Sequence, residues 1–168
     1  GGLAGDALTT GVHNVAIGYA ALTNEDAHGR NVAVGFESLN QQNAGADAYN
    51  TAIGYQAGKA VTTGANNTLI GAQTGDSLTT GARNTAVGFA ALATENAHGN
   101  NTAIGYAALN TLDANAEGYN VAVGSNSGKL MTSGINNSLL GYNSGTSITT
   151  GSYNIAIGTS ALSTEDTG

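Results

Sequence analysis

The sequence predicts an all-β fold, a parallel β-solenoid (a β-roll or β-helix) of 17- and 19-residue coils. Three observations predict it. A five-residue stretch, Asn-(Val/Thr)-Ala-(Ile/Val)-Gly, recurs along all 168 residues, with its Asn at 14, 31, 50, 67, 84, 101, 120, 137 and 154. The steps run 17, 19, 17, 17 and then 17, 19, 17, 17, so a four-coil super-repeat of 70 residues occurs twice. Self-similarity at such a period marks an array whose units pack only on their neighbours. The stretch is also short, rich in β-branched residues and closed by Gly, the pattern of a strand running into a turn. Finally, a coil of this length is too short for a strand-helix-strand unit of ~30 residues, yet long enough for two or three short strands.

In chain order, residues 1–13 are the tail of a preceding coil, because Asp6-Ala7-Leu8-Thr9-Thr10-Gly11 matches Asp76-Ser77-Leu78-Thr79-Thr80-Gly81. The first full coil runs from Asn14 through Leu22 to a polar turn, Thr23-Asn24-Glu25-Asp26-Ala27-His28-Gly29. The second starts at Asn31 and carries a two-residue insertion within Asn40-Gln41-Gln42-Asn43-Ala44-Gly45-Ala46. Coils three and four start at Asn50 and Asn67, and Leu69 replaces the Ala of the motif in the fourth. The cycle restarts at Asn84, with its insertion around Asn110–Asn115 and Leu139 as the matching replacement, and Asn154 opens a third cycle. Residues 1–168 read as one solenoid domain. Gly1 aligns with Gly71 and Gly141 in mid-motif, so the chain is expected to be a segment of a longer fibre.

Composition agrees with a thin core. With 26 Gly, two Phe and no Trp, large side chains are scarce, yet apolar residues make up 40% and sit at fixed positions. The net charge is −7, and the four basic residues (Arg30, Lys59, Arg83, Lys129) are scattered, which argues against a nucleic-acid partner. The chain has no Cys for a disulfide framework or a thiolate zinc site. No run approaches the ~20 apolar residues of a membrane-spanning helix, so membrane insertion is not expected. No cofactor is implied.

The two faces of the strand carry the most information. Side chains alternate, so Val15 and Ile17 point one way and Ala16 the other, and both sets are apolar in nearly every copy. Strands apolar on both faces are buried on both. The Ala face is therefore expected to line the coil interior and the other face to pack on another chain, or the reverse. Ile17, Val34, Ile53, Ile70, Val87, Ile104, Val123, Leu140 and Ile157 are the candidate interchain contacts. Threefold closure into a homotrimer suits a fibre. The alternative is a monomeric solenoid broad enough to enclose both sets.

Asn-Val-Ala-Ile-Gly with its small flanking residues resembles the head repeats of trimeric autotransporter adhesins. Asn-Thr-Ala-Ile-Gly-Tyr-(Gln/Ala)-Ala, at 50–57 and 101–108, is more similar still to repeats of phage tail-fibre and tail-spike-like proteins. The resemblance covers essentially the whole chain. It implies a trimeric parallel β-roll used as a stalk or receptor-contacting shaft, left-handed in the adhesins. The longer coil of this chain departs from the adhesin pattern.

Several recurring residues invite a role. The nine motif Asn residues are expected to form a structural ladder, with side-chain amides bonded to the copies above and below. The fifth residue after each Asn is aromatic at Tyr19, Phe36, Tyr55, Phe89, Tyr106 and Tyr142, a ladder for coil-to-coil packing or for stacking on the CH faces of a sugar. Thr pairs at 9–10, 62–63, 79–80 and 149–150 suggest an ice-binding array, but they are interrupted in every super-repeat. Glu25 to His28 and Glu95 to His98 read as solvated turns. Gly54–Lys59 and Gly124–Lys129 lack both the spacing and the Ser/Thr of a phosphate-binding loop. The sequons at Asn66, Asn100 and Asn136 are by-products of the motif. No Ser-His-Asp or paired-carboxylate constellation stands apart from the repeat, so no catalytic or metal site is expected.

These readings lead to a structural and interaction protein: an extracellular fibre shaft or adhesin segment of a virion tail fibre or bacterial surface, serving attachment to a host or surface. Its partners are copies of itself and a cell-surface glycan or receptor. The alternatives are a filament or matrix protein assembling end to end, and an ice- or glycan-binding solenoid.

Overall fold

The computed structural model describes residues 1–25 and 27–164; Asp26 of the first polar turn and residues 165–168 lie outside them. It is an all-β solenoid of nine parallel strands in chain order: β1 (Val15–Ile17), β2 (Val32–Val34), β3 (Thr51–Ile53), β4 (Thr68–Ile70), β5 (Thr85–Val87), β6 (Thr102–Ile104), β7 (Val121–Val123), β8 (Ser138–Leu140) and β9 (Ile155–Ile157). Each strand pairs with the next in sequence, motif on motif: Ala16 faces Ala33, Ala33 faces Ala52, and Ala52 faces Leu69. Among the described residues each coil contributes one three-residue strand, not the two or three expected. The remainder of each coil is a chain of turns that still bonds to its neighbours.

Those turns explain the shortfall in strands. In every complete coil the backbone takes positive φ at four places: the residue before the motif Asn, the motif Gly, and the sixth and eighth residues after the Asn. In the first coil these are His13, Gly18, Ala20 and Leu22. The alternation of hand keeps the coil in plane while it turns. Its amides therefore still reach adjacent coils, as where Glu37 N–H donates to Tyr19 C=O (2.9 Å) and Leu22 N–H to Ser38 C=O (3.0 Å). A non-glycine residue in the left-handed region costs on the order of 1–2 kcal/mol. The geometry persists because each such residue is held between two copies of itself.

The core is a single row of small and branched side chains. The middle residue of the strand points inward and is buried from β2 to β9, as Ala33, Ala52, Leu69, Ala86, Ala103, Ala122, Leu139 and Ala156. It packs with the eighth and eleventh residues after each Asn, for example Leu39, Leu92 and Leu109 at the eighth and Val61, Leu78, Leu112, Met131 and Ile148 at the eleventh. The eighth position is Leu in some coils and Gly in others. A Cβ on Gly58 would collide with a methyl of Leu69, and one on Gly128 with Leu109 and Leu139. Glycine there makes room for the larger side chain of a neighbouring coil.

The motif Gly is under a tighter constraint. At Gly54, φ is 140°, and an added Cβ would press into the backbone carbonyl of Gly71 in the next coil. Gly54→Ala is expected to destabilise by about 3 kcal/mol or more, because neither φ nor the facing carbonyl can give way. Gly45, in the insertion, has φ 68° and open space around it, so Gly45→Ala should cost only about 1 kcal/mol. Urea denaturation of the two variants at equal chain concentration checks the contrast.

Candidate interaction surface

The outward side chains of the strands form one apolar stripe. Ile17, Val34, Ile53, Ile70, Val87, Ile104, Val123, Leu140 and Ile157 stand in register on the outer face, each strand aligned on the last. The Ile and Leu members are exposed, from 37% at Ile70 to 69% at Ile157, and the smaller Val members are half-buried. Of the two arrangements open from the sequence, the structure adopts the first: Ala inside, Ile and Val outside. A patch of this length exceeds what isolated surface apolar residues explain, and such patches mark contact sites.

The aromatic ladder stands on the turn just beyond the strand. Tyr19 stacks on Phe36 (centroids 5.3 Å apart), Phe36 on Tyr55 (5.4 Å), and Phe89 on Tyr106 (5.6 Å), with ring planes within 18° of parallel. Ala72 and Ser125 interrupt the series, and Tyr142 stands past the second gap. All six rings are exposed at their edges. Within each stack, however, they cover one another's faces. A sugar ring therefore finds free faces where the ladder is broken, at Tyr55 and Phe89 beside Ala72 and at Tyr106 and Tyr142 beside Ser125, and where it ends, at Tyr19 and at the far side of Tyr142.

The Asn ladder runs through the whole chain; the expected amide-to-amide bonds occur from Asn120 to Asn101 (3.2 Å) and from Asn137 to Asn120 (3.1 Å), but the link common to all coils runs from side chain to backbone. The Oδ1 of each motif Asn accepts the backbone N–H of the next: Asn14 from Asn31 (3.0 Å), Asn31 from Asn50 (3.0 Å), Asn50 from Asn67 (2.8 Å), Asn67 from Asn84 (2.9 Å) and Asn84 from Asn101 (3.0 Å). Asn101, Asn120 and Asn137 continue the same link through to Asn154. Nδ2 turns the other way and closes its own coil, as in Asn67 to Gly81 C=O (2.9 Å) and Asn137 to Gly151 C=O (2.9 Å). The two coils with insertions cannot make this second bond. Asn31 Nδ2 is buried without a partner, and Asn101 Nδ2 turns to Gly99 C=O instead.

The polar turns also depart from expectation. Glu25 and Glu95 are not solvated but wholly buried, at the core position that the second coil fills with Gln42 and the other described coils with Val, Leu, Met or Ile. Their partners His28 and His98 are half-buried above them. Periodicity hid this, because the turn is polar on average and its one inward residue differs from coil to coil. The Thr pairs are tied down as well: the hydroxyls of Thr62, Thr79 and Thr132 donate to backbone carbonyls of the next coil. Surface charges pair across coils, Arg30 with Asp47 and Lys59 with Glu37 (2.8 Å). That lysine holds the Glu37 carboxyl below its ordinary range. Such exposed pairs contribute little to stability.

Among the described residues there is no pocket and no group of three or more His, Asp or Glu side chains placed to hold a metal ion. No helix among the described residues is long and apolar enough to cross a membrane. No protein-family model, curated protein or solved structure matches the chain.

Replacing Asn67 by Ala removes an acceptor from the Asn84 N–H and a donor from the Gly81 carbonyl, both inside the wall of the coil. With each orphaned group costing about 1–3 kcal/mol, Asn67→Ala should destabilise by roughly 2–5 kcal/mol. Asn31→Ala removes only the forward link and should cost about half as much. Equal midpoint shifts in urea would contradict the assignment of two bonds to one residue and one to the other.

Proposed function

We propose that the chain is a structural segment of an extracellular fibre, the shaft of a tail fibre or bacterial surface adhesin, and that it works as a homotrimer. The observation that carries this reading is the exposed Ile/Val/Leu stripe, continuous over nine strands on a solenoid whose other apolar row is already used up inside. Three copies arranged around one axis turn three stripes toward each other and leave none in water. The cyclic arrangement is closed laterally and free to extend along the solenoid axis, which is what a shaft requires. Coils of 17 and 19 residues in a 70-residue super-repeat, stacked ~4.8 Å apart, give a rod of roughly 40 Å over the eight steps from Asn14 to Asn154. Uniform coils hold something at a distance. The resemblance to tail-fibre and adhesin-head repeats supports the same reading, and the broken aromatic ladder is where a surface glycan would be met.

Light scattering on the size-excluded protein tests the assembly. A discrete particle of three 16.5 kDa chains is expected. Ile70→Asp sets three carboxylates against one another at the axis and should weaken association by about 100-fold or more, while the far-ultraviolet β signal stays. A single-chain mass for the unaltered protein overturns the trimer. A broad distribution of very large particles favours the end-to-end filament instead.

A further inference from the structure

Two carboxyl groups lie in the core with a histidine over each, and nothing in the reading of the chain as a shaft uses them. Glu95 is fully buried, with Leu78 and Leu112 at the equivalent position of the coils before and after. Its Oε1 accepts the backbone N–H of His98 (3.1 Å), and its Oε2 accepts that of Ala114 in the next coil (3.3 Å). The imidazole Nδ1 of His98 lies 3.6 Å from the same Oε1, buried and without a hydrogen-bond partner. The arrangement is repeated four coils earlier. Glu25 Oε1 accepts His28 N–H (3.1 Å), His28 Nδ1 sits 3.8 Å away without a partner, and Glu25 Oε2 is buried and unpaired. A carboxylate oxygen and an unprotonated ring nitrogen are both acceptors. Side by side they repel until a proton sits between them. A shift of a few tenths of an ångström then brings the pair to hydrogen-bond distance.

We propose that Glu95 and His98 hold one proton between them in the folded chain, making each four-coil unit an internal proton site that tightens the fold on acidification. The proton comes from solvent through the half-buried imidazole, and no other group needs to change. The charged group facing Glu95 from the following coil is Asp113, of the same sign, so it too favours uptake. Burial raises the Glu95 carboxyl above its ordinary value of 4.5 against the pull of the two backbone donors and His98. An unfolded His98 already carries a proton below its ordinary value of about 6.5, so the folded pair binds more protons than the unfolded chain only above that value. The resulting stability is complete just below the ordinary imidazole value and is lost as pH rises through the value of the pair.

The test is the urea unfolding midpoint of the full chain between pH 4.5 and 8, at fixed concentration, for the unaltered protein, Glu95→Gln and Glu95→Leu. Leucine already fills this position in two adjacent coils, so Glu95→Leu is expected to fold. In the unaltered protein the unfolding constant should rise with pH by up to tenfold per unit for each extra bound proton. Glu95→Leu should lose that component and be the more stable protein at pH 8. Alongside, the pH titration of the His98 ring followed by nuclear magnetic resonance should move in Glu95→Gln. Parallel pH profiles for the unaltered protein and Glu95→Leu overturn the proposal, and so does an unmoved His98 titration.

Discussion

The fold depends on the bond from each motif Asn side chain to the backbone of the next coil, and the reason is directional. The carbonyl of Asn31 points back to the first coil, where it accepts Val15 N–H (2.9 Å), and the N–H of Asn31 points back as well. When every coil repeats that geometry, each has an N–H reaching back to a neighbour that offers no backbone acceptor forward. Asn Oδ1 is that acceptor. An N–H left unmet at eight successive coils would cost more than the small net stability a domain of this size possesses. An acidic side chain could supply the oxygen only by burying a charge and giving up the second bond, from Nδ2 to its own coil. This explains why the residue is Asn in all nine coils while its neighbours vary.

A flat coil follows from the same requirement. Copy-on-copy bonding works only if each turn advances by one strand spacing, and a polypeptide turning in a plane must alternate in hand. The positive-φ positions are that alternation, and they fall where Ala, Leu, Glu or Gln take a conformation that costs each of them energy. Stacking offsets it, because the amide on either side of the strained residue finds its partner only there. The strain and the ladder are therefore one feature seen from two sides, and glycine is indispensable only where a carbonyl of the next coil lies against the Cα, as at Gly54.

Much of this was legible in the sequence and some was not, for identifiable reasons. The spacing of Asn and the alternation of Ala with Ile or Val disclosed the parallel register and the two apolar faces, because both are enforced identically in each coil. The number of strands was over-read: continuity of bonding around the coil does not require extended φ and ψ, and the turns bond as well as strands do. The wiring of the Asn amide was legible only in part, at Asn101, Asn120 and Asn137, since a ladder of side chain to side chain and one of side chain to backbone demand the same residue at the same interval. Glu25 and Glu95 misled because a polar turn was judged by its average character. Comparing them with Val61, Leu78 and Met131, at the same offset from the Asn, would have exposed them as core positions.

The alternation of Leu and Gly at the eighth position has a consequence for how such a chain changes in length. Leu69 fills space left by Gly58 of the preceding coil and Gly75 of its own, and Leu139 does so for Gly128 and Gly145, so the side-chain volume of one coil depends on its neighbour. Backbone geometry alone would let any coil be lost or duplicated. Packing does not: deleting the coil of Gly58 sets Leu69 against Leu39, and deleting the coil of Leu69 leaves Gly58 facing Ala86, a clash or a void at the seam. Unequal recombination within the coding repeat would therefore be tolerated chiefly in whole units of 70 residues. The length of the rod would then be inherited in discrete steps, each adding or removing four coils with every interior contact intact.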